Sequence, residues 1–215
     1  MIKKILNFKF IIRNCNRGMT YVELIVVLSI FSVLSAVTLF NYKQFQLKVD
    51  IKNLAHDMTL KIVEAQKSST SGKLSPLPPW QQPISGWKPS YGIYFNLVTN
   101  NKVFYYFTDL NQDGLYDIPT ASCPVEECLE QILITKDNYI SNSFTKVFYK
   151  DPAPPTNEIL NNLHITFTRP NSGATFKSTP VLTRPIDHIE ITVSSPAGEV
   201  TSVISVYPSG RIELN

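Results

Sequence analysis

The fold of this chain is decided by one mainly apolar stretch, RGMTYVELIVVLSIFSVLSAVTLF, which occupies residues 17–40. From Leu24 to Phe40 it contains seventeen residues without a charge, a proline or a glycine. With residues 19–22 in front, this run is about long enough for a helix that crosses a hydrocarbon core ~30 Å thick. The stretch therefore predicts a membrane-spanning helix over about residues 20–40.

Charge is distributed unevenly around this stretch. The 215-residue chain has 20 Lys and Arg against 17 Asp and Glu, and five of the basic residues precede residue 19, where no acidic residue occurs. Without those five, 15 basic side chains face 17 acidic ones, a charge of −2, so composition argues against nucleic acid as a partner. Basic residues before the span predict a cytoplasmic N-terminus and an extracytoplasmic C-terminal part.

Glu23 is the unexpected residue, because a carboxylate at the end of a membrane span is costly. It lies four residues after Met19, which follows Gly18. If the chain is cut after Gly18, Met19 gains an amine whose positive charge neutralises Glu23, within one helix or in an adjacent subunit. A plain signal anchor needs no such carboxylate. A signal-peptidase site is disfavoured, because its best candidate, Leu34-Ser35-Ala36, has Leu where a small residue is needed.

Residues 17–28, RGMTYVELIVVL, resemble the signature of type IV prepilins and type II secretion pseudopilins. The family pattern is a basic leader, Gly, usually Phe, Thr, two residues, Glu, Leu and an apolar helix; here Met19 replaces the Phe. The resemblance implies that a prepilin peptidase removes residues 1–18 and that Met19 is then N-methylated. It also implies that Glu23 aligns each subunit with other pilins or pseudopilins in a filament, which an assembly ATPase and a platform protein build.

The helical pattern continues beyond the predicted span. Between Met19 and Ser75 there is no proline, and Gly72 is the only glycine. Apolar residues recur at spacings of three and four, which predicts one helix from near Met19 to about Lys67, ended by residues 68–72. Residues 19–72 thus form the predicted helical segment. Its apolar stripe comprises Leu47, Ile51, Leu54, Met58, Ile62 and Ala65, widened by Ala55 and Val63.

Residues 73–215 are predicted to form a β-rich head domain. β-branched and aromatic runs alternate with turn residues, and no helix of useful length interrupts them. The predicted fold class is therefore α+β, a pilin-like arrangement in which the long helix packs on antiparallel sheet. The predicted strands are 91–98, 102–108, 131–135, 144–149, 163–168, 174–177, 188–193, 200–207 and 211–214.

A second resemblance concerns the C-terminal end. Residues 165–170 and 208–212 are similar to the turn and the Gly-Arg-Ile strand of H-type minor pseudopilins and related minor pilins, although an Arg precedes the Pro and the glycine comes late, at Gly173. This resemblance implies a minor or initiating subunit. Without the resemblance, the residues predict only that Gly210 lies in a turn and that Arg211 is a solvent-exposed residue at the start of a strand.

The segment DLNQDGLYD at residues 109–117 has the spacing of a calcium loop. Oxygen-bearing side chains stand at relative positions 1, 3, 5 and 9, and a glycine at 6 permits the sharp turn. An EF-hand would need Glu at position 12, where this chain has Thr120, so Glu126 or Glu127 is a candidate for the missing carboxylate. The alternative is an Asx-rich turn without metal. The predicted structural calcium ligands are Asp109, Asn111, Asp113, Asp117 and the carbonyl of Leu115.

Cys123 and Cys128 follow this segment. Removal of the leader would discard Cys15 and leave an even pair in an oxidising, external compartment, which predicts a disulfide.

Together these features predict a non-enzymatic filament subunit, held in the cytoplasmic (inner) membrane with its C-terminal domain outside until it is assembled into a pilus or pseudopilus. The competing hypothesis is a membrane-anchored, calcium-stabilised binding module that forms no filament. An enzyme is the least expected class, because His56, His164 and His188 lack the spacing of a catalytic triad or a metal site.

Overall fold

The computed structural model describes residues 18–75, 85–119, 121–143, 145–151 and 160–215. The predicted leader up to Arg17, with Cys15, lies outside the described residues, and so do Thr120 and Phe144. The chain divides into two compact units, Met1–Gln44 and Phe45–Asn215. The boundary falls inside the predicted helical segment, whereas the sequence placed the head domain after residue 72.

One helix, α1 (Tyr21–Thr70), contains the apolar stretch and the amphipathic pattern that follows it. At its start the Thr20 hydroxyl accepts a hydrogen bond from the backbone N–H of Glu23 at 3.3 Å, and the Thr20 carbonyl accepts the N–H of Leu24 at 3.1 Å. These are the bonds of an N-cap residue, which satisfies backbone donors that the first turn leaves open. The continuous helix predicted from the sequence is confirmed.

The end of α1 is a Schellman motif centred on Gly72. The N–H of Gly72 bonds to the carbonyl of Ser69 at 3.0 Å, and the N–H of Lys73 bonds to that of Ser68 at 3.1 Å. Gly72 has a φ of 71°, which a residue with a side chain adopts only at a cost. The helix therefore ends at Thr70, three residues beyond the predicted Lys67 and within the segment expected to end it.

In the first unit, α1 exposes its large apolar side chains. Leu24, Ile25, Val26, Val27 and Leu28 follow one another, and each is between 44% and 54% exposed. Among the described residues, α1 is one helix that is long and apolar enough to cross a membrane. This agrees with the predicted single membrane span.

The second unit contains two antiparallel sheets. In the described residues ten strands follow α1: β1 (Ser90–Asn96), β2 (Val103–Thr108), β3 (Cys128–Leu133), β4 (Tyr139–Ile140), β5 (Lys146–Tyr149), β6 (Asn162–Thr168), β7 (Ala174–Thr179), β8 (Ile186–Ser194), β9 (Thr201–Val206) and β10 (Ile212–Leu214). The first sheet has the order β3-β2-β1-β6-β7, and the second has the order β10-β9-β8-β4, with β5 also paired to β8.

Each predicted strand overlaps an observed one. Strand β4 was not predicted, because its two residues are too short a run to show an alternating pattern. The α+β class is confirmed at this level, but the division of the strands into two sheets was not visible in the sequence.

The core of the second unit lies between these sheets and the C-terminal part of α1. Five residues of the predicted stripe are fully buried there: Ile51, Ala55, Met58, Ile62 and Ala65. They pack in one cluster with side chains of both sheets, such as Ile93 and Ile191. Val63, predicted to widen the stripe, is 39% exposed. That prediction was wrong, because Val63 lies beside the face of α1 that packs on the sheets and not within it.

The opposite face of the first sheet carries a second, smaller core. Tyr94 and Tyr105 are directly opposed in the β1–β2 register and share this face with Phe107 and His164. Gly92 makes room for Phe107, since a Cβ at this position would lie 2.7 Å from the Phe107 ring and 2.6 Å from the carbonyl oxygen of Ile165. Exposure of so many aromatic side chains to water would be unfavourable. The chain between β2 and β3 packs over this face, called the outer face below, and shields it from solvent.

Candidate functional site

The predicted assembly residues lie at the start of α1. Gly18 and Met19 are exposed and precede the helix, and Glu23 is exposed in its first turn. The bond from the Glu23 N–H to the Thr20 hydroxyl makes Thr20–Glu23 the first half of a capping box, and an acidic side chain in a first turn is also favoured by the helix dipole. This local role was not recognised from the sequence, although the Thr-x-x-Glu spacing indicates it.

The predicted calcium loop crosses the outer face of the first sheet. Three of its backbone groups form hydrogen bonds with side chains of β6 and β7. The hydroxyl of Thr166 donates to the carbonyl of Gly114 at 3.2 Å, His164 accepts the N–H of Tyr116 at 2.9 Å, and the Lys177 ammonium bonds to the carbonyl of Asp113. The loop is thus held by the neighbouring strands as well as by its own turns.

Asp109 is the buried acid of the loop, with 1% of its surface exposed. Its Oδ2 accepts the N–H of Gly114 at 3.0 Å and the hydroxyl of Ser90 at 3.2 Å. Its Oδ1 is buried and accepts no hydrogen bond of normal geometry among the described residues, although the backbone N–H of Gln112 lies near enough to the carboxylate to lower its pKa. Burial raises the pKa of Asp109. An unpartnered, buried carboxylate oxygen is costly, and a cation is a partner that would satisfy it.

Glu127 is the second buried acid at this place, with 4% of its surface exposed. Its two carboxylate oxygens accept the N–H of Leu110 at 2.8 Å and the N–H of Asp117 at 3.0 Å. Burial raises the pKa of Glu127 to about 7, helped by the negative charges of Asp109 and Asp117 and opposed by these two hydrogen bonds. The carboxylate of Glu127, one of the two considered from the sequence, therefore bonds to the backbone of the loop.

The remaining predicted ligands form an Asx-rich turn. The N–H of Asp113 bonds to Oδ1 of Asn111 at 3.0 Å, and the N–H of Leu115 bonds to Oδ1 of Asp113 at 2.7 Å. The amide nitrogen of Asn111 donates to Oδ2 of Asp113 at 3.2 Å and to Oδ2 of Asp117 at 3.3 Å. This amide lies between two carboxylates, a place where a cation would also be attracted.

The donor set of the loop differs from that of a metal site built from side chains alone. Within the described ranges, no three or more His, Cys, Asp or Glu side chains are grouped as a metal site. Calcium, however, also takes amide and carbonyl oxygens and water. The unpartnered Oδ1 of Asp109, near the Asn111 and Asp113 turn, fits such a mixed oxygen set. The hydrogen bonds within the loop fit the alternative of an Asx-rich turn equally well.

The predicted disulfide between Cys123 and Cys128 is confirmed, with 5.4 Å between the two Cα atoms. Cys128 begins β3, is fully buried and packs against Phe107 and Tyr116. The disulfide therefore ties the end of the loop to the aromatic cluster of the outer face.

The sequence did not indicate that Tyr94, Tyr105, Tyr116 and His164 would meet. The signal it offered was tyrosine at outward-facing positions of β1 and β2, where an exposed face would carry polar residues. No protein-family model matches the chain, and no curated protein and no solved structure matches it.

Proposed function

We propose that this chain is a pilin-like structural subunit, held in the cytoplasmic membrane by α1 until it enters a type IV pilus or a type II secretion pseudopilus. Its proposed partners are a prepilin peptidase, other pilins or pseudopilins, and indirectly the assembly ATPase and platform protein. The observation that carries the proposal is that α1 is apolar on all of its sides in the residues that follow Gly18, Met19 and Glu23. A minor or initiating position, as in H-type pseudopilins, is the finer form of the proposal.

The apolar character of α1 extends around the whole helix in the first unit. Five consecutive residues from Leu24 to Leu28 are apolar and exposed, and five consecutive positions cover every side of a helix with 3.6 residues per turn. The hydroxyls of Ser29, Ser32 and Thr38 donate to backbone carbonyls within the helix at 2.8–2.9 Å. Such bonds satisfy polar groups without water. Both features suit a helix that moves from lipid into a bundle of like helices.

The carboxylate of Glu23 is the polar exception on this surface. The Thr20 cap engages the backbone N–H of Glu23 rather than its carboxylate. Within the described residues, no Lys, Arg or His pairs with it. Cleavage after Gly18 would create a positively charged partner at Met19, and N-methylation would retain that charge. We propose that this pairing, within or between subunits, sets the register of assembly.

The proposal includes a structural calcium ion at residues 109–117. The oxygens of Asp109, Asn111, Asp113 and Asp117 and the carbonyl of Leu115 would hold it. When bound, the ion supplies the positive charge that lets neighbouring carboxylates remain ionised together. The support for this assignment is the buried, unpartnered Oδ1 of Asp109. No catalytic role is proposed for these residues.

The assembly role of Glu23 can be separated from its capping role by three variants in the native host. Glu23→Gln keeps a side chain suited to a capping box but removes the charge, Glu23→Ala removes both, and Thr20→Ala removes the cap alone. We expect all three proteins to insert in the membrane, and both Glu23 variants to be missing from sheared filaments. Thr20→Ala should still be incorporated. Wild-type incorporation of Glu23→Gln would refute the charge-pairing role.

Processing is tested by intact-mass measurement of the membrane form. We expect loss of residues 1–18 and the addition of one methyl group.

A membrane-anchored, calcium-stabilised binding module without a filament is the second candidate. The Thr20 cap favours it, because this bond gives the Thr-x-x-Glu spacing a purely local purpose. That candidate predicts a retained leader and normal behaviour of Glu23→Gln.

A further inference from the structure

A pocket of about 260 Å³ opens at the outer face of the first sheet, beside the loop described above. Its walls include three tyrosines from three different segments: Tyr94 of β1, Tyr105 of β2 and Tyr116 of the loop. The amide side chains of Asn96 and Gln131 also line it. The pocket is therefore built jointly by the sheet and by the chain that covers it.

The three tyrosine rings hold one another in place. The ring centroids of Tyr94 and Tyr116 are 5.1 Å apart, those of Tyr105 and Tyr116 are 5.3 Å apart, and those of Tyr94 and Tyr105 are 6.0 Å apart. Tyr94 and Tyr116 are buried, whereas Tyr105 is only half-buried. Part of the Tyr105 ring is therefore accessible to a molecule in the pocket. Packing against the rings of Tyr94 and Tyr116 restricts the rotation of its side chain.

The hydroxyl of Tyr116 lacks a hydrogen-bond partner in the part of the chain that the structure describes. Only 5% of Tyr116 is exposed, and its hydroxyl is buried without a hydrogen-bond partner among the described residues. The side chain is anchored, because its N–H bonds to His164 and its ring packs on Phe107 with centroids 5.3 Å apart. Buried hydroxyls are ordinarily paired, so this one is an unsatisfied group at the pocket wall, and a ligand reaches it only when neighbouring side chains shift.

The chemistry of the lining narrows the class of ligand. None of the described lining residues is Asp, Glu, Lys or Arg, so a charged ligand would find no countercharge. Oδ1 of Asn96 accepts the N–H of Thr99 at 2.9 Å, which fixes the orientation of that carboxamide. Aromatic surface beside the oriented amide of Asn96, the amide of Gln131 and a phenol suits a molecule with an apolar C–H face and hydroxyl groups around its edge.

The volume sets the size of that molecule. Pockets for drug-sized ligands measure roughly 300–1,000 Å³, so this pocket holds about one small ring. A flat aromatic ligand can stack on one exposed ring, but it is held best in a slot between two parallel rings. Here the three tyrosines contact one another at tilts of 24° to 36°, and no slot lies between them.

We propose that this pocket is a binding site for one neutral sugar ring of a glycan. The ring would lie against Tyr105, with hydroxyl groups bonded to the amides of Asn96 and Gln131. A further bond to the buried Tyr116 phenol would form when the neighbouring side chains shift to admit it. The proposal goes beyond the proposed function and does not rest on it, since a filament subunit and an anchored module would display the pocket alike.

The test uses the full chain in a zwitterionic detergent that has no sugar headgroup, in buffer containing calcium. The probes are the methyl glycosides of glucose, galactose and N-acetylglucosamine, measured by saturation-transfer NMR and by titration. We expect at least one probe to bind, with the strongest saturation on the C–H protons of one ring face. Absence of saturation for all three probes would overturn the proposal.

Two variants locate the binding. Tyr105→Ala should raise the dissociation constant of the bound probe at least tenfold, whereas Tyr139→Ala, a half-buried tyrosine of the second sheet, should leave it unchanged. An unchanged dissociation constant in Tyr105→Ala would contradict the site. A circular dichroism spectrum like that of the wild type establishes that each variant is folded.

Tyr116→Phe separates a ligand-binding hydroxyl from a structural one. Because this hydroxyl has no partner in the described residues, its removal should not lower the melting temperature without sugar, yet it should weaken binding at least threefold. A lower melting temperature with unchanged binding would refute the assignment. Binding of adenosine, a flat aromatic probe, in the absence of sugar binding would refute it as well.

Discussion

The backbone N–H of Tyr116 donates a 2.9 Å hydrogen bond to Nδ1 of His164, which joins the loop after β2 to the middle of β6. As an acceptor, Nδ1 carries no proton, so the imidazole is neutral with its proton on Nε2. His164 is 5% exposed, and burial lowers its pKa to about 4, with a further lowering by Lys177 and an opposing effect of Asp113. The bond therefore depends on pH.

The first prediction follows from this shift. Since the pKa of His164 is lower in the folded chain than its ordinary 6.5, the unfolded chain binds the proton more readily. The contribution of His164 is fully present above pH ~6.5 and is lost as the pH falls toward 4, by about 3 kcal/mol for the whole shift. Glu127, whose pKa is raised to about 7, contributes in the opposite direction over the same range, so the effect of His164 is the difference between the wild type and a variant. Denaturant titrations in one detergent at pH 7 and pH 4.5 measure the free energy of unfolding. His164→Asn keeps an acceptor for Tyr116 without titrating, so on going from pH 7 to pH 4.5 the wild type should lose about 2 kcal/mol more stability than this variant.

The control for this experiment is His56→Asn, which changes an exposed histidine of α1. It should retain the wild-type dependence on pH. Equal pH dependence in His164→Asn and in the wild type would show that other groups cause the loss.

The second prediction concerns calcium. Calcium should raise the melting temperature of the chain, because it binds the folded loop and not the unfolded chain. Asp113→Ala should abolish that rise, since it removes one proposed ligand, whereas Asp57→Ala, an exposed acid of α1, should preserve it. Scanning calorimetry with calcium and with a chelator gives both shifts. Equal melting temperatures of the wild type in the two buffers would leave the loop as a turn without metal.

The third prediction compares two glycines with similar backbone conformations. Gly210 has a φ of 87° and Gly198 a φ of 71°, so alanine pays a similar conformational cost at both. A Cβ on Gly210 would also overlap the carbonyl oxygen of Ser172 and the amide of Gln66, whereas at Gly198 its nearest neighbour is the Tyr139 hydroxyl at 3.8 Å. Gly210→Ala should therefore destabilise the chain by ~1–3 kcal/mol more than Gly198→Ala. Denaturant unfolding measures both, and equal losses would contradict the close packing.

The fourth prediction concerns the disulfide between Cys123 and Cys128. It closes a short loop, so its loss should lower the free energy of unfolding by about 2 kcal/mol through chain entropy. A reducing agent should produce this loss in the wild type. It should have no effect on the double variant Cys123→Ala/Cys128→Ala, which serves as the control. Unchanged wild-type stability after verified reduction would mean that the aromatic cluster alone holds the loop.

Much of the secondary structure was predictable from short-range pattern. The spacing from Ile51 to Ala65 marked the buried side of α1, because residues three and four apart share a helix face. The same spacing wrongly included Val63, because it shows which side of the helix is buried but not how many neighbouring positions are buried with it.

The candidate site was predictable in part. The oxygens of residues 109–117 and the Cys123–Cys128 pair could be identified because their spacing along the chain is itself the signal. That the carboxylate of Glu127 bonds to the loop backbone could not be identified from the sequence, because the direction of a side chain depends on the backbone conformation around it. The aromatic pocket was missed for a related reason: Tyr94 and Tyr116 belong to segments that no local rule brings together.

The sequence by itself determined that an apolar helix begins near Tyr21, that it becomes amphipathic, and that a β-rich region follows, because each property depends on residues a few positions apart. Only the tertiary structure decided that the strands form two sheets and that Asp109 is buried with one oxygen unpartnered. The hydrogen bond from the backbone N–H of Tyr116 to His164 was also decided by the tertiary structure. Alternation assigns side chains to two faces of a strand. Strand pairing and the path of the connecting chain determine what each face meets, and both depend on contacts between residues far apart in sequence.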